Sequence, residues 1–556
     1  MIEPAHGRTS RAARAAAQAR RREIERCLAG VGLAGGPRGL AGSEQGDIPP
    51  HFDGSASRRL RHALERLGSV FASFGRYLGS RPDLLPLADC LELRQTAEPV
   101  EPLPEAAVHA LIELETGRPF AEIFEAVDAV PLRCGLVTQT HGARLAGGWN
   151  TVLRLLRPDF RERLERDLPD LPLLAAALGR EDRSFDVDVA ISGFQQAVAA
   201  RADLQAQAGA LRALNAESVR LGSLRLPRIA LSTPRLLCLE LLEGADLGAL
   251  QPSPSPPAEL ADLARRLWLA WLYHALRGKV FPVELDGRGL LVLADGSIGL
   301  QRSIFAGLPL ESQQNLLGYL AASAAEDPDE ACSRLVREME PAPPPHDTAE
   351  MELRQRFRQS VAFRDGGWGS AWDGHSLAEQ LFVQWRLAGR HGFRPPPHLV
   401  SFFRGLFDVA VAVRPLVPPD RDPLREALEN LRLLAAFDQV GRMADPDRLR
   451  RSFESYGAAL AELPTALDGA LSQWAEGRPR LRVEVQDRRE DRREGRERPR
   501  GVPALSVALF LALAAVALMT VRLGSAPQAG PWVEAVGATV FTFLGGMLLW
   551  SFGRED

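Results

Sequence analysis

The chain carries 67 basic side chains, of which Lys279 alone is lysine. A mechanism that needs a Schiff-base lysine, a phosphate-loop lysine or a strand lysine on a nucleotide must therefore use Lys279 or do without. Glu284 and Asp286 lie close together in VELDGRG, where either reads as a general base or as a solvated turn carboxylate. Cys27, Cys90, Cys134, Cys238 and Cys332 are scattered without C-x-x-C spacing, which argues against a zinc site and a disulfide framework and fits reduced thiols. His274 within an apolar stretch reads as a satisfied core histidine, and proline-rich loop chemistry explains His391 and His398 in GRHGFRPPPHLV without a metal. The hydrolase pattern G-x-S-x-G, the zinc pattern H-E-x-x-H and the phosphate loop G-x-x-x-x-G-K-[ST] are all absent.

These residues need a scaffold, and 556 residues with 46% hydrophobic side chains supply several sizeable cores. A formal net charge of −4 exerts no global pull on nucleic acid. Residues 1–56 read as a basic Arg/Ala-rich tail, either loose or an amphipathic surface helix. Its arginine-rich, acid-poor start has the character of a transit peptide, but the same bias persists to the C-terminus and reads as genome composition. From Ser57, Leu60, Leu64, Leu67, Phe71, Phe74 and Leu78 recur at helical spacing, ending at Pro82 and Pro86. Helical periods continue to about residue 128. Gly147-Gly148-Trp149-Asn150 then predicts a hairpin, RLPRIALSTPRLLCLELLEG a strand–turn–strand, and PSPSPP (252–257) a hinge. A long apolar helix and the Asp-Gly hairpin of LLVLADGSIGL follow.

Residues 481–501 form an Arg/Glu-rich segment that reads as a solvated linker. Beyond it, 501–521 and 535–553 are apolar, charge-free windows, each about the length that crosses a 30 Å hydrocarbon layer. Trp532 and Trp550 lie near the expected interfaces, and the arginines before the first window place both ends on the cytoplasmic side. The expectation is a transmembrane hairpin over 502–553 in the inner, cytoplasmic membrane, with the main body in the cytoplasm.

Several ordered segments resemble the UbiB/AarF atypical kinases associated with ubiquinone biosynthesis: FASFGRYLGSRPDLLP, ETGRPFAEIFEAVDAVPL, LPRIALSTPRLLCLELLEG and RGLFDVAVAVRPLVPPDRDP. The resemblance implies a mostly helical α+β, bilobal, protein-kinase-like fold: an N-terminal helical extension over 57–130, an N-lobe over 131–251 and a helical C-lobe over 252–480. It also implies ATP and Mg²⁺ as cofactors, so each chemical position can be compared. The lysine of the extension's K-x-G-Q segment is Ser73 and its glutamine Arg76. The nucleotide loop becomes Arg133, Cys134, Gly135 and Leu136, with Gln139 and His141 kept. The strand lysine falls on Arg154, and the helical glutamate near Gly209. In the C-lobe, the catalytic aspartate falls on Glu284, the metal-binding asparagine on Gly289 and the Mg²⁺ carboxylate on Arg302; Lys279 occupies a glycine position.

An arginine in place of a carboxylate reverses the local charge by two units. One unit pair 4 Å apart is worth about 4 kcal/mol at an effective dielectric near 20, so Mg²⁺ would be expelled. The expectation is a degenerate, pseudokinase-type member with no metal ligands, acting as scaffold, lipid-handling module or regulator. Its partners would be a membrane lipid or quinone precursor and quinone-biosynthesis proteins, and not nucleic acid. A divergent ATPase or kinase using Arg154 and Glu284 or Asp286 is the alternative. Arg154, Gln139 and Arg302 are the candidate contacts to an anion or nucleotide; converging without metal, Arg154 and Arg302 would suit a pyrophosphate or other anionic headgroup.

Overall fold

The computed structural model describes residues 6–33, 55–174, 186–218, 224–249, 257–285, 289–341, 348–362, 376–418 and 421–431. All fall within one compact unit, Met1–Leu434. The first sheet is built from β1 (Phe124–Val127), β2 (Arg133–Cys134), β3 (Thr138–Leu145) and β4 (Asn150–Leu156). The second involves β5 (Leu224–Arg225), while β6 (Ile229–Ser232) and β7 (Leu236–Glu240) complete the first in the order β1-β3-β4-β7-β6, with β2 beside β3. The β3–β4 hairpin turns where Gly-Gly-Trp-Asn predicts it, and Gly148 supplies the left-handed φ of 81° that the turn requires.

Period-two alternation decides what each strand offers the site. On β4, Leu153 and Leu155 are fully buried and pack with Val108 and Ile112 of the helix Glu105–Thr116. Burying each such leucine contributes about 1.5–3 kcal/mol. Arg154, between them, is left for the opposite face, where the helix Leu204–Ser218 lies.

After β8 (Gly244–Asp246), and beyond residues 252–256 of the expected hinge, which lie outside the described residues, comes the helix Ala258–Arg277 with Pro257 at its N-cap. Its buried Trp271 donates to the Pro282 carbonyl at 2.9 Å and packs on Phe281 and Phe402. This fixes β9 (Phe281–Val283) between two helices, the second being Pro397–Val413. β10 (Leu290–Leu293) and β11 (Ile298–Leu300) form the Asp-Gly hairpin, with Gly296 at φ 76°. β12 (Ile304–Ala306) returns antiparallel to β9. The arrangement is mostly helical α+β and kinase-like: a sheet lobe and a helical lobe whose small strands carry the loops facing the sheet.

Three expectations change. Residues 6–30 form a helix, and its C-terminal part is docked: Ile24 and Leu28 belong to the main core, and Arg20 donates to the Leu67 carbonyl at 2.5 Å. The helix expected from Ser57 to Leu78 is two helices, Ala56–Leu67 and Ser69–Leu78, because Gly68 at φ 110° turns the chain between them. The helical reading to residue 128 gives way to β1, which pairs with β3 and joins the extension to the sheet.

Among the described residues no helix is long and apolar enough to cross a membrane. The windows 501–521 and 535–553, the linker 481–501 and Asp286 lie outside the described residues.

Candidate active site

The two lobes and the extension meet at a cavity of about 150 Å³, lined among others by Ser73, Arg76, Glu98, Arg133, Arg154 and Arg302. Among the sequence-predicted positions it brings together are Ser73, Arg154, Glu284 and Arg302. Gln139 is elsewhere. Thr138 and Thr140 of β3 line the cavity, whereas Gln139 is fully buried, accepting from Leu103 N at 2.8 Å and from Arg157 Nη1 at 3.0 Å. Its amide meets His141 Nε2 at 2.8 Å. Gln139 thus braces the sheet against the extension and does not line this cavity, unlike its neighbours Thr138 and Thr140.

Arg154 reaches from β4 to Gln207, donating through Nη1 to Oε1 at 2.6 Å. Gln207 lies two positions before Gly209, the predicted place of the helical acid, and its amide donates to the carbonyls of Ala200 and Arg201 at 3.0 and 2.9 Å. A neutral amide on a buried guanidinium therefore stands where a lysine–glutamate ion pair is expected.

Glu284 follows β9 at φ 60°, a left-handed conformation that a non-glycine residue holds only when its surroundings enforce it. Arg201 Nε and Arg404 Nη2 each donate to one carboxylate oxygen at 2.8 Å. Burial pushes this carboxyl up, but the two guanidiniums overcome it and hold it down to about 2. Arg201 also donates to Ser73 Oγ at 3.2 Å, and Arg404 to Ser80 Oγ at 2.9 Å. The carboxylate thus ties the extension to the C-lobe. Asp408 supports it, accepting from the next backbone amide, Leu285 N, at 3.1 Å and from Arg94 of the extension. Burial raises the Asp408 carboxyl, with Arg94 opposing.

Gly289 precedes β10, and its carbonyl accepts from Gln301 N at 2.9 Å. A Cβ at Gly289 would lie 2.7 Å from the Arg302 carbonyl oxygen and 3.3 Å from Arg302 Cβ. Beyond lacking an amide, the position has no room for one without moving backbone. Ser303, after Arg302, is spent on the carbonyls of Val283 and Ile304 at 2.9 and 2.8 Å. On the opposite wall, Glu98 of the extension accepts from Leu136 N at 2.7 Å, with Arg76 at 3.7 Å. A carboxylate of the chain itself therefore occupies a backbone donor of the glycine turn.

Mg²⁺–ATP does not fit these residues. The metal positions hold a guanidinium and a glycine packed on backbone, Glu284 is engaged by two arginines, and the cavity is smaller than the roughly 300–1,000 Å³ of typical small-molecule sites. Among the described residues no three His, Cys, Asp or Glu side chains gather to hold a metal. All five cysteines are free; burial raises the thiols of Cys238 and Cys332 to about 11, which keeps them protonated at neutral pH. His274 is buried with Ser218 Oγ at 3.1 Å from Nε2, as a core histidine.

Sequence reasoning missed Arg201, Arg404, Glu98, Gln207 and Asp408. Arg404 and Asp408 lie one helical turn apart inside RGLFDVAVAV, so that signature already held two of them. Glu98 sits in a loop with no pattern of its own.

A sheet lobe and helical lobe closing on a loop cavity define a kinase-like domain. Residues 95–305 match the ABC1 atypical kinase-like domain. The chain is 26% identical over 284 residues to the probable protein kinase UbiB of Pseudomonas entomophila, covering 49% of this chain and 53% of that one. It is 25% identical over 291 residues to an uncharacterized aarF domain-containing chloroplastic protein kinase of Arabidopsis thaliana, covering 50% and 53%. The structure of the Rv3197–erythromycin complex from Mycobacterium tuberculosis aligns at 15% identity and TM-score 0.36, over 61% of this chain and 86% of that one. These matches support membership of the UbiB/AarF family of atypical kinases. The chain spans about half the length of the curated relatives it matches.

Proposed function

We propose that this chain is a UbiB-like pseudokinase: a member that has given up phosphoryl transfer and supports ubiquinone or related isoprenoid-lipid synthesis as a scaffold, lipid-handling module or regulator. One observation carries the reading: Gly289 packs against the backbone of Arg302, at the two positions that should hold the metal. Phosphoryl transfer depends on charge neutralisation by those ligands, and a guanidinium with a closed glycine supplies none. Glu284, at the catalytic aspartate's position, accepts from two arginines and is a poor proton acceptor at neutral pH.

The apolar windows 501–521 and 535–553 support a multi-pass anchor in the inner membrane with the kinase-like body on the cytoplasmic side. A membrane lipid or quinone precursor and proteins of quinone synthesis are the partners this reading assigns.

The test is Mg²⁺-dependent ATP hydrolysis by the purified full chain. Turnover at background, unchanged in Glu284→Ala, is expected; metal-dependent turnover abolished by Glu284→Ala would establish a divergent ATPase instead.

A further inference from the structure

The helix His6–Gly30 is basic out of proportion to its chain. It holds seven arginines against two glutamates, and the helix Ala56–Leu67 packed beside it holds four against one, while the chain as a whole has a formal net charge of −4. A general bias toward arginine raises the basic count everywhere, but elsewhere the acids keep pace and here they do not. The two glutamates of the first helix are already engaged: Glu23 pairs with Arg20 at 2.9 Å and Glu25 with Arg21 at 3.5 Å. Arg20 also reaches Asp167 at 3.3 Å. Arg22 and Arg26 are exposed and pair with no carboxylate among the described residues; Arg26 Nε donates to the Arg22 carbonyl, one turn back, at 3.3 Å.

The helical repeat sorts these residues onto faces. Ile24 and Leu28 point the helix into the main core, and Arg22 and Arg26 fall on the opposite face. The same repeat puts positions 8 and 11, both arginine, on that outer face, with alanine at 15 and 19 between. At about 1.5 Å per residue the row from 8 to 26 runs roughly 27 Å. What the helix lacks narrows the partner. It contains no Phe, Tyr or Trp, so it offers neither the stacking platform of a single-strand nucleic-acid site nor the aromatic anchor of a specific protein interface. A straight row of guanidiniums separated by small side chains matches a flat surface of many negative groups, which needs no registered contact.

We propose that the outer face of this helix, bearing Arg8, Arg11, Arg22 and Arg26, rests on an anionic phospholipid surface. The contact is electrostatic and peripheral. An interfacial helix ordinarily buries its apolar side in lipid, but here that side is committed to the protein core through Ile24 and Leu28. The helix therefore meets headgroups with its charged face and inserts nothing into the hydrocarbon layer. An arginine close to such a surface is worth about fivefold in binding, so the row of four is worth roughly several hundredfold. The inference does not depend on the membrane anchor assigned to windows 501–521 and 535–553; together with that anchor, the row turns a tethered kinase-like body into an oriented one.

The experiment is backbone hydrogen–deuterium exchange of the purified full chain with vesicles of phosphatidylcholine alone and of phosphatidylcholine with one third phosphatidylglycerol. Peptides from residues 6–30 should exchange several-fold more slowly on the anionic vesicles. The slowing should hold at about 0.1 M salt, where screening reaches about 10 Å, and vanish at about 1 M, where it reaches about 3 Å. Arg22→Gln with Arg26→Gln should weaken the contact about 25-fold and remove most of the slowing, whereas lysine at both positions, which keeps the charge, should retain it. Equal exchange on the two vesicle types, slowing that survives 1 M salt, or slowing unchanged in the double glutamine variant would overturn the proposal. So would slowing by duplex DNA or polyglutamate but not by anionic vesicles, which would assign the face to another class of partner. Flotation of the same chain on pure phosphatidylcholine scores the anchor separately: a chain that floats there while residues 6–30 ignore anionic lipid keeps the anchor and loses only the arginine face.

Discussion

Replacing Glu284 by glutamine removes the charge at the centre of the Arg201–Glu284–Arg404 cluster while keeping its shape, and the structure sets the cost. The carboxyl titrates at 4.5 when unperturbed and at about 2 here. At about 1.4 kcal/mol for each tenfold change in proton affinity, the folded state gains roughly 3 kcal/mol from this ionisation. Because the folded value is the lower one, the gain is fully present above pH 4.5 and fades as pH falls toward 2. Glutamine mimics the protonated acid, so Glu284→Gln should destabilise the protein by about 3 kcal/mol at pH 7 and by only about half that at pH 3. Urea denaturation followed by tryptophan fluorescence reads this directly, with Trp268 and Trp271 buried in the affected lobe. A neutral variant at pH 7, or a gap that stays constant from pH 7 to pH 3, would refute the claim that two guanidiniums hold this carboxylate.

Gly289→Asn restores the amide of an active kinase, yet its Cβ meets the Arg302 carbonyl at 2.7 Å; thermal melting should show a loss of about 1–3 kcal/mol and no rescue by Mg²⁺. Gln207→Ala removes the acceptor for Arg154 and two donated bonds, and urea titration should register a loss of about 2–4 kcal/mol. At Gly193 a Cβ would collide with the buried Tyr77 hydroxyl, so Gly193→Ala should lower the melting temperature by an amount matching about 1–3 kcal/mol. Truncation after residue 480 should move the protein from the membrane pellet to the supernatant on fractionation; retention in the pellet would count against the anchor.

Local patterns made the chemical core of the site legible. The Asp-Gly hairpin has one register, and counting outward from it places Gly289 and Arg302 in the positions the structure gives them. Strand parity would also have placed Gln139: residues of β3 alternate faces, and Thr138 and Thr140 take the cavity side. The Arg201–Glu284 and Glu284–Arg404 pairs span 83 and 120 residues, and no periodicity reports a contact at that separation. The short strand Phe124–Val127 was hidden because four residues behind a helical stretch carry too little alternation to read. The N-terminal helix was hidden by composition: among many arginines and alanines, only Ile24, Leu28 and their neighbours mark its buried face.

The contacts between the extension and the last described long helix also set a timetable for synthesis. Arg94 waits for Asp408, 314 residues later, and Ser80 for Arg404, 324 residues later. At about 5–20 residues per second, more than 300 residues take roughly 15–60 s to emerge. For that interval the nascent chain carries Tyr77, a side chain that ends fully buried with the Arg404 guanidinium 4.9 Å over its ring, before the helix bearing Arg404 exists. The element made early is among the last to be completed, and the newborn chain depends on whatever shields that ring until residue 408 arrives.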